Sequence, residues 1–482
     1  VRRFWIRVAD GRAEGDLECT VGHRVRLDGG MDGIYAGWSW TGRELIVEQD
    51  RYGFFPLFEW RSGSTRVLAT DLFTLLKKGA PRVLDLDALS VFVRIGFFVG
   101  ADTPFQSIRA VVPGPLPRRR LEIRRSEAVD GFIDLFRQSI RRRLHSEPFV
   151  MPLSGGRDSR HILLELRDAG RPPAACVTVR HFPPRANDDE AIARDVCTAL
   201  AIEHRTIAQP AGRASLERRK NLATHLCTDE HAQFVVLAEH LRAHTRETYD
   251  GIAGDVLSQS TYLRPDVHTL FARGDFRGVA AYVLDGYGIT MSEPALARVL
   301  APEFARELTR ERALARLTAE IATHADAPNP IGSFFLSSRT RREIALAPYG
   351  LMRDLIVYAP YLDRDLYDFL SALPADMLMD RTLHTDAIAR GWPQLAALPY
   401  ERKGLKVEDR WEQRKTAASL LAAVARHRTR PYLRRAALWP PLLATLADGA
   451  AHRLWPAALV LYLDQIADVS TNAAAATVRL DR

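Results

Sequence analysis

Cysteine is scarce in this 482-residue chain. Cys19, Cys176, Cys197 and Cys227 lie far apart and form neither a C-x-x-C pair nor a zinc spacing. So sparse a use excludes a disulfide-stapled fold and fits a reducing cytoplasm, where the chain is expected to reside. Long hydrophobic runs are also missing. The most apolar stretches, such as Ala88–Ala101 with Arg94 inside it, are too short to span a bilayer, so no membrane partner is expected. The start, Val1-Arg2-Arg3-Phe4-Trp5, has no apolar h-region, and no signal peptide is expected. Lys and Arg outnumber Asp and Glu by 67 to 59, a net charge of +8. Outside Arg118–Arg120 and Arg141–Arg143 the basic residues are scattered, with no interleaved aromatics, which argues against a nucleic-acid partner. The pattern G-x-x-x-x-G-K-[ST] is absent, and there is no internal repeat.

What is present describes a soluble globular protein, 47% hydrophobic and 26% charged, and too long for a single core. Short runs with turn residues between them predict strands at Phe4–Val8, His23–Leu27, Gly33–Trp40, Glu44–Glu48, Leu57–Trp60 and Arg66–Ala69. Cys19 falls in a polar turn stretch of this β-rich part. A helix follows at Leu86–Phe98, and Val112–Pro117 reads as a turn into a basic strand. Helical spacing over Ala128–Leu144 leads to a strand at Val150. Strands and helices then alternate: helix His161–Ala169 closed by Gly170, strand Ala175–Val179, helix Asp189–Leu200, strand Glu203–Ile207, helix Glu230–His244 and strand Thr248–Ile252. That rhythm argues for a parallel α/β sheet with ligands at the C-terminal strand ends. Beyond Asp266 the chain reads as mostly helical, with a flexible tail over residues 471–482. The division expected is 1–125, 126–470 and the tail.

Two turns carry the chemistry. The first, Ser154-Gly155-Gly156-Arg157-Asp158-Ser159, follows an apolar strand and opens a helix. Backbone N–H groups and a helix N-terminus gathered there make a seat for phosphate, and glycines let the backbone approach it. Asp158 makes best sense beside phosphate as a ligand for Mg²⁺ bridging the oxygens. An ordinary strand-to-helix turn is the alternative. The second, Tyr249-Asp250-Gly251-Ile252-Ala253-Gly254-Asp255, again ends a strand in small residues and presents an Asp. Alone it reads as a turn with a capping Asp. In a parallel sheet the two turns can lie side by side, so that Asp158 and Asp255 grip one Mg²⁺–pyrophosphate unit.

The first turn matches the SGGxDS loop of the N-type ATP pyrophosphatases, and the chain as a whole resembles the asparagine synthetase family, in the branch of β-lactam synthetases and lasso-peptide cyclases. The resemblance runs from about Glu44 to Gly404. Asp50-Arg51-Tyr52-Gly53 through Pro56-Leu57 resembles the family's DRxGxxPLY segment. Leu68–Asp71, Asp102–Phe105 and Val112–Gly114 resemble later landmarks. Ala359-Pro360-Tyr361-Leu362-Asp363 resembles PFLD, and Leu398-Pro399 through Arg402-Lys403-Gly404 resembles the basic motif near the synthetase C-terminus. The resemblance implies an N-terminal Ntn-type, glutaminase-like α+β sandwich, here shortened and degenerate. It implies next an α/β adenine-nucleotide α-hydrolase-like synthetase domain with a mostly helical C-terminal part. It implies that Leu153, Ser154, Gly155, Gly156, Asp158, Ser159, Thr178, Gly251 and Gly254 bind ATP, that Asp158 and Asp255 hold Mg²⁺, and that Lys403 stabilises charge on the reacting carboxyl group.

The chain departs from the family in two places. Glutamine-dependent members begin with a cysteine nucleophile; here Val1 stands first and no cysteine precedes Cys19, so no glutaminase activity is expected. The Glu that precedes PFLD in the family is replaced by Ile356, the Arg after it by Tyr358, and the Glu ending SGxGxDE by Val256. Glu343, Tyr358, Asp229 and Glu230 are the candidates for a displaced base, each with an ordinary reading as a helix-surface or capping residue. The expectation is an ATP- and Mg²⁺-dependent ligase that adenylates a small-molecule or peptide carboxylate and passes it to a free or intramolecular amine, in specialised biosynthesis and as a possible homodimer. The alternatives are a degenerate ATP-binding homologue and an adenylating sulfur-transfer enzyme using Cys176 or Cys227.

Overall fold

Alternating apolar and polar residues turn the first third of the chain into short antiparallel strands. In the computed structural model the described residues are 3–114, 116, 119–145, 147–182, 187–210, 212–286, 292–401, 410–426, 432–450 and 457–471. Strands β1 (Trp5–Ala9), β2 (Arg12–Gly15), β3 (Glu18–Leu27), β4 (Gly30–Trp40), β5 (Leu45–Gln49), β6 (Phe58–Ser62), β7 (Thr65–Ala69) and β8 (Ile108–Ala110) make two antiparallel sheets, ordered β2-β1-β7-β6-β8 and β3-β4-β5. Ile6 and Leu68 of one sheet share a buried cluster with Cys19, Ile34, Ala36 and Trp38 of the other.

Several expectations need correction here. β2 and β8 are additional strands, too short to show a period. Cys19 is not in a turn: it sits on β3, on the same buried face as His23 four residues on. Helix α1 (Leu72–Lys77) starts at Asp71, which accepts from the Thr74 N–H. Helix α2 (Leu86–Ile95) stops short of Phe98 because Gly96 turns left-handed, at φ 83°. No strand forms over described residues 119–124, where a basic one was expected.

The alternating part follows. Helix α3 (Arg125–Arg141) precedes β9 (Val150–Pro152), α4 (Arg157–Asp168), β10 (Ala175–Val179), α5 (Asp188–Leu200), β11 (Glu203–Ile207), α6 (Arg213–Ala223), α7 (Phe234–His244), β12 (Glu247–Tyr249) and α8 (Gly254–Ser258). β9, β10 and β11 are parallel, with Ala175 facing both Val150 and Glu203. The Thr248 hydroxyl donates to the Val150 carbonyl at 2.9 Å and draws β12 alongside β9. Helix α4 begins inside the glycine turn, at Arg157, rather than at His161. Helix α7 starts at Phe234, not Glu230, because His231 takes a left-handed φ of 81° that no helix accommodates. The rest is helical apart from β13 (Ile356–Tyr358), which pairs in parallel with β12 and which sequence periodicity did not reveal. The last helix ends at Thr471, and residues 472–482, the expected tail, lie outside the described residues.

The core does not stop at residue 125. One buried cluster joins Phe54 and Leu57 to Phe132, Leu163 and Tyr361; another joins Phe92 and Phe98 to Leu420 and Tyr462. Arg143 crosses the same boundary with a buried guanidinium, 2.6 Å from Asp32 of β4 and 2.6 Å from Asp363.

Candidate functional site

Because β9 and β12 run side by side in the same direction, the turns that leave them emerge at one edge. They touch. A methyl group on Gly251 would stand 2.7 Å from the Asp158 Cβ, and one on Gly254 would stand 2.6 Å from the Asp158 carboxyl carbon. Only hydrogen at those positions lets Asp158, in the first turn of α4, rest against the second turn. Asp255 opens α8 on the other side, with the Thr261 hydroxyl 3.3 Å from its Oδ2. Asp250 accepts from the Ile252 N–H at 2.8 Å, and burial, reinforced by the Asp158 charge, pushes its carboxyl up to about 6. Tyr361 binds both turns together: its hydroxyl donates to the Asp158 carbonyl at 3.2 Å, and its own ionisation is suppressed by burial and by the charges of Asp158 and Asp255.

The first turn is held in shape from within. The Ser154 N–H donates to Ser159 Oγ at 3.1 Å, and the Gly156 N–H to Ser154 Oγ at 3.2 Å. The Gly155 N–H donates to Asp189 Oδ1 at 2.6 Å, a carboxylate from the first turn of α5. Leu153 precedes the turn, and its carbonyl accepts from the Thr178 hydroxyl at 2.7 Å; His204 Nε2 lies 2.8 Å from that hydroxyl. Behind Asp158 is a buried imidazole, His384, whose Nδ1 is 3.3 Å from Asp158 Oδ1 and 2.9 Å from Ser258 Oγ. His384 Nε2 is in turn 3.1 Å from His161 Nδ1. Burial, then the neighbouring His384, holds His161 neutral well below its ordinary range. Sequence reasoning missed Asp189 and His384, since each comes from a separate element and carries no local motif, and it saw Tyr361 only as part of the PFLD-like segment.

Residues 131–265 match the family model described as asparagine synthase. This segment is similar to asparagine synthase domains. Both acidic turns lie inside it, as do α4 to α8 and β9 to β12. No curated protein matches the chain. Among solved structures, the NMN synthetase from Francisella tularensis is similar over 41% of this chain and 93% of that one, at 18% identity and a TM-score of 0.21, an overlap too loose to bear on the fold.

Among the described residues the candidate bases fall in two places. Glu343 is buried, with Oε2 3.0 Å from Arg339 Nε and Oε1 accepting from the Thr228 hydroxyl at 3.3 Å. Glu230 reaches the same guanidinium at 3.3 Å, and Arg339 also donates to the Tyr262 hydroxyl. Desolvation and the Glu230 charge push Asp229 up to about 7 and Glu343 well above the usual carboxylate range. Three of the four candidate bases thus converge on Arg339, whose cation is also stabilised by Asp255. Tyr358 is elsewhere. Its hydroxyl donates to Glu247 at 3.3 Å and its ring stands edge-on to His23, while its carbonyl accepts from the Asp250 N–H at 2.8 Å.

Lys403 lies outside the described residues, with Arg402 and Gly404. The segment leading to it is fastened to the first turn. The Glu401 N–H donates to the Gly155 carbonyl at 2.9 Å, and Arg160 donates to the Leu398 and Pro399 carbonyls at 3.2 and 2.5 Å. The guanidinium groups of Arg157 and Arg160 lie 4.2 and 4.0 Å from the Tyr400 ring centroid. Cys176 and Cys227 are buried, and both thiols are pushed up, Cys176 by a hydrogen bond with Cys197 and by burial, Cys227 by burial to about 11. Such thiols are poor nucleophiles. Among the described residues no helix is long and apolar enough to cross a membrane, and no cluster of three His, Cys, Asp or Glu forms a ready-made metal site.

Proposed function

We propose that this chain is an ATP- and Mg²⁺-dependent amide-forming ligase. A carboxylate oxygen bonds to the α-phosphorus of ATP and pyrophosphate leaves; an amine then bonds to the carbonyl carbon of the acyl-AMP and AMP leaves. The observation that carries this reading is the seating of Asp158 against Gly251 and Gly254, at the one place where two strand ends and two helix N-termini meet. Glycines whose Cβ would occupy the Asp158 carboxyl let that carboxylate sit against the second turn. Asp158 and Asp255 would hold Mg²⁺, which would supply charge neutralisation to the phosphate oxygens.

The chain's own groups have separable tasks in this reading. Ser154, Gly155, Gly156 and Ser159 receive the phosphates, with Leu153 and Thr178 shaping the floor beneath. Asp189 must release the Gly155 N–H for phosphate to take it. Glu343, Asp229 and Glu230 surround Arg339 as a proton-accepting cluster for the amine, and Tyr358 is a positioning residue that holds the Asp250 backbone. Lys403 stabilises the negative charge that develops on the reacting carbonyl. Residues 1–125 form a glutaminase-type sandwich used as a wall rather than a hydrolase, since Cys19, its one cysteine, faces the core. The amine is therefore free or carried by the substrate, the setting specialised biosynthesis in the cytoplasm, and the molecule a possible homodimer.

The test is pyrophosphate–ATP exchange across a panel of carboxylic acids. Exchange with at least one acid, lost in Asp158→Ala, is the expected result. Exchange that persists unchanged in that variant removes the assignment.

A further inference from the structure

A cavity of about 830 Å³ opens between the loop that carries Arg51, Tyr52 and Phe54 and the helices beyond residue 320. Its walls are mostly apolar, with Phe54, Val256, Leu257 and Leu336 among them, and Tyr52 and Arg341 also line it. Both polar groups lack a partner among the described residues: the Tyr52 hydroxyl and Arg341 Nε are buried without a hydrogen bond. Tyr52 is only 3% exposed. Two of the acids nearby are committed elsewhere, and a third, Asp326 in the wall, is exposed to solvent. Glu320, also in the wall, is held by Arg316 at 3.1 Å, and Asp50 accepts from the backbone N–H groups of Tyr52, Phe54 and Phe55. Arg342, next in the chain, donates instead to the Asp102 carbonyl at 2.7 Å. Burial, with Arg342 beside it, depresses the Arg341 pKa to about 10, only partly opposed by the charges of Glu320 and Asp50. A guanidinium in such surroundings is costly unless an anion completes it.

We propose that this cavity binds an organic acid by its apolar body, with the carboxylate on Arg341 and a further hydrogen bond from the Tyr52 hydroxyl. Val256 and Leu257 follow Asp255 directly on α8, so the cavity adjoins the second acidic turn. Resting on the ligase reading, the substrate is then an elongated acid with a second anionic group: one end is held at Arg341 and the other is activated at the turns.

The experiment is calorimetric titration of the full chain with octanedioate, octanoate and octylamine. Both acids bind and the amine does not. Arg341→Gln weakens the acids by about ten- to a hundredfold, the range for losing one charged, desolvated contact, while ATP binds as before. Tyr52→Phe removes only an unpartnered hydroxyl, keeps the fold and weakens both acids severalfold; it decides the matter should the glutamine variant not fold. Absence of acid binding to the wild type, or binding unchanged in the folded variant, overturns the proposal. Acid binding at Arg341 in a chain that shows no pyrophosphate exchange would leave the cavity standing and sink the ligase reading alone.

Discussion

At the scale of single residues, the two glycines behind Asp158 make the sharpest prediction. Gly254→Ala places a methyl 2.6 Å from the Asp158 carboxyl carbon, and the φ of Gly254 does not itself forbid alanine. The variant is expected to keep its far-UV circular dichroism, lose about 1–3 kcal/mol of stability in urea and lose exchange activity, because the carboxylate is moved rather than removed. Asp250 gives a pH-dependent counterpart. Its folded-state pKa of about 6 lies above its ordinary 3.8, so the folded chain holds the proton more tightly than the unfolded one. Without metal, stability falls as pH rises from about 4 to about 6 and is then level, a loss on the order of 2 kcal/mol. Mg²⁺ affinity moves the other way and rises through pH 6 as the third carboxylate ionises. Asp250→Asn flattens both curves, since the amide oxygen still accepts from the Ile252 N–H. Thermal denaturation and Mg²⁺ titration from pH 4 to 8 read both, and slopes in the variant identical to those of the wild type would refute the assignment.

At the scale of elements, α4 does two jobs. Its N-terminus forms the first turn, and its Arg157 and Arg160 clamp Tyr400 and the carbonyls of Leu398 and Pro399. If the purpose of the clamp is to place Lys403, Arg160→Ala and Lys403→Ala act on one function and their effects do not add. The double variant is expected to be no less active than Lys403→Ala alone, while Arg160→Ala costs about 2–3 kcal/mol from two lost charged hydrogen bonds and the stacking on Tyr400. Full additivity in exchange rates would show that the clamp serves stability alone. The motif Pro360-Tyr361-Leu362-Asp363 also divides its labour. Tyr361 ties the two acidic turns, whereas Asp363 caps the following helix at the Asp365 N–H and receives Arg142 and Arg143.

At the scale of the whole molecule, both hydrophobic clusters draw on each side of residue 125. The chain is therefore expected to unfold in one transition, with tryptophan fluorescence and far-UV circular dichroism coincident in urea. Arg143 is the polar counterpart of that continuity. Arg143→Ala strands Asp32, which is 4% exposed, leaves Asp363 to Arg142 alone, and is expected to cost about 3–5 kcal/mol and to separate the two probes. A variant within 1 kcal/mol of wild type would mean that neither carboxylate depends on the guanidinium.

By itself the sequence determined the local pieces of the site. Ser154–Ser159 and Asp250–Asp255 are legible because small residues between an apolar strand and a helix have few other uses, and the strand and helix periods before and after them repeat over many residues. The β11-β10-β9 part of the sheet was legible for the same reason. What only the tertiary structure decided comes from residues with ordinary neighbours in sequence: Asp189 on the Gly155 N–H, His384 behind Asp158, Arg339 drawing together Glu343 and Glu230, and Arg341 in a cavity wall with its Nε unpartnered. Boundaries moved where one residue's backbone overrode the pattern, as at Gly96 and His231, and β13 escaped notice because a three-residue strand has too few positions to show a period. Periodicity reports how a segment meets its own neighbours, whereas the partner of a buried charge is set by packing across elements, and no local pattern encodes that.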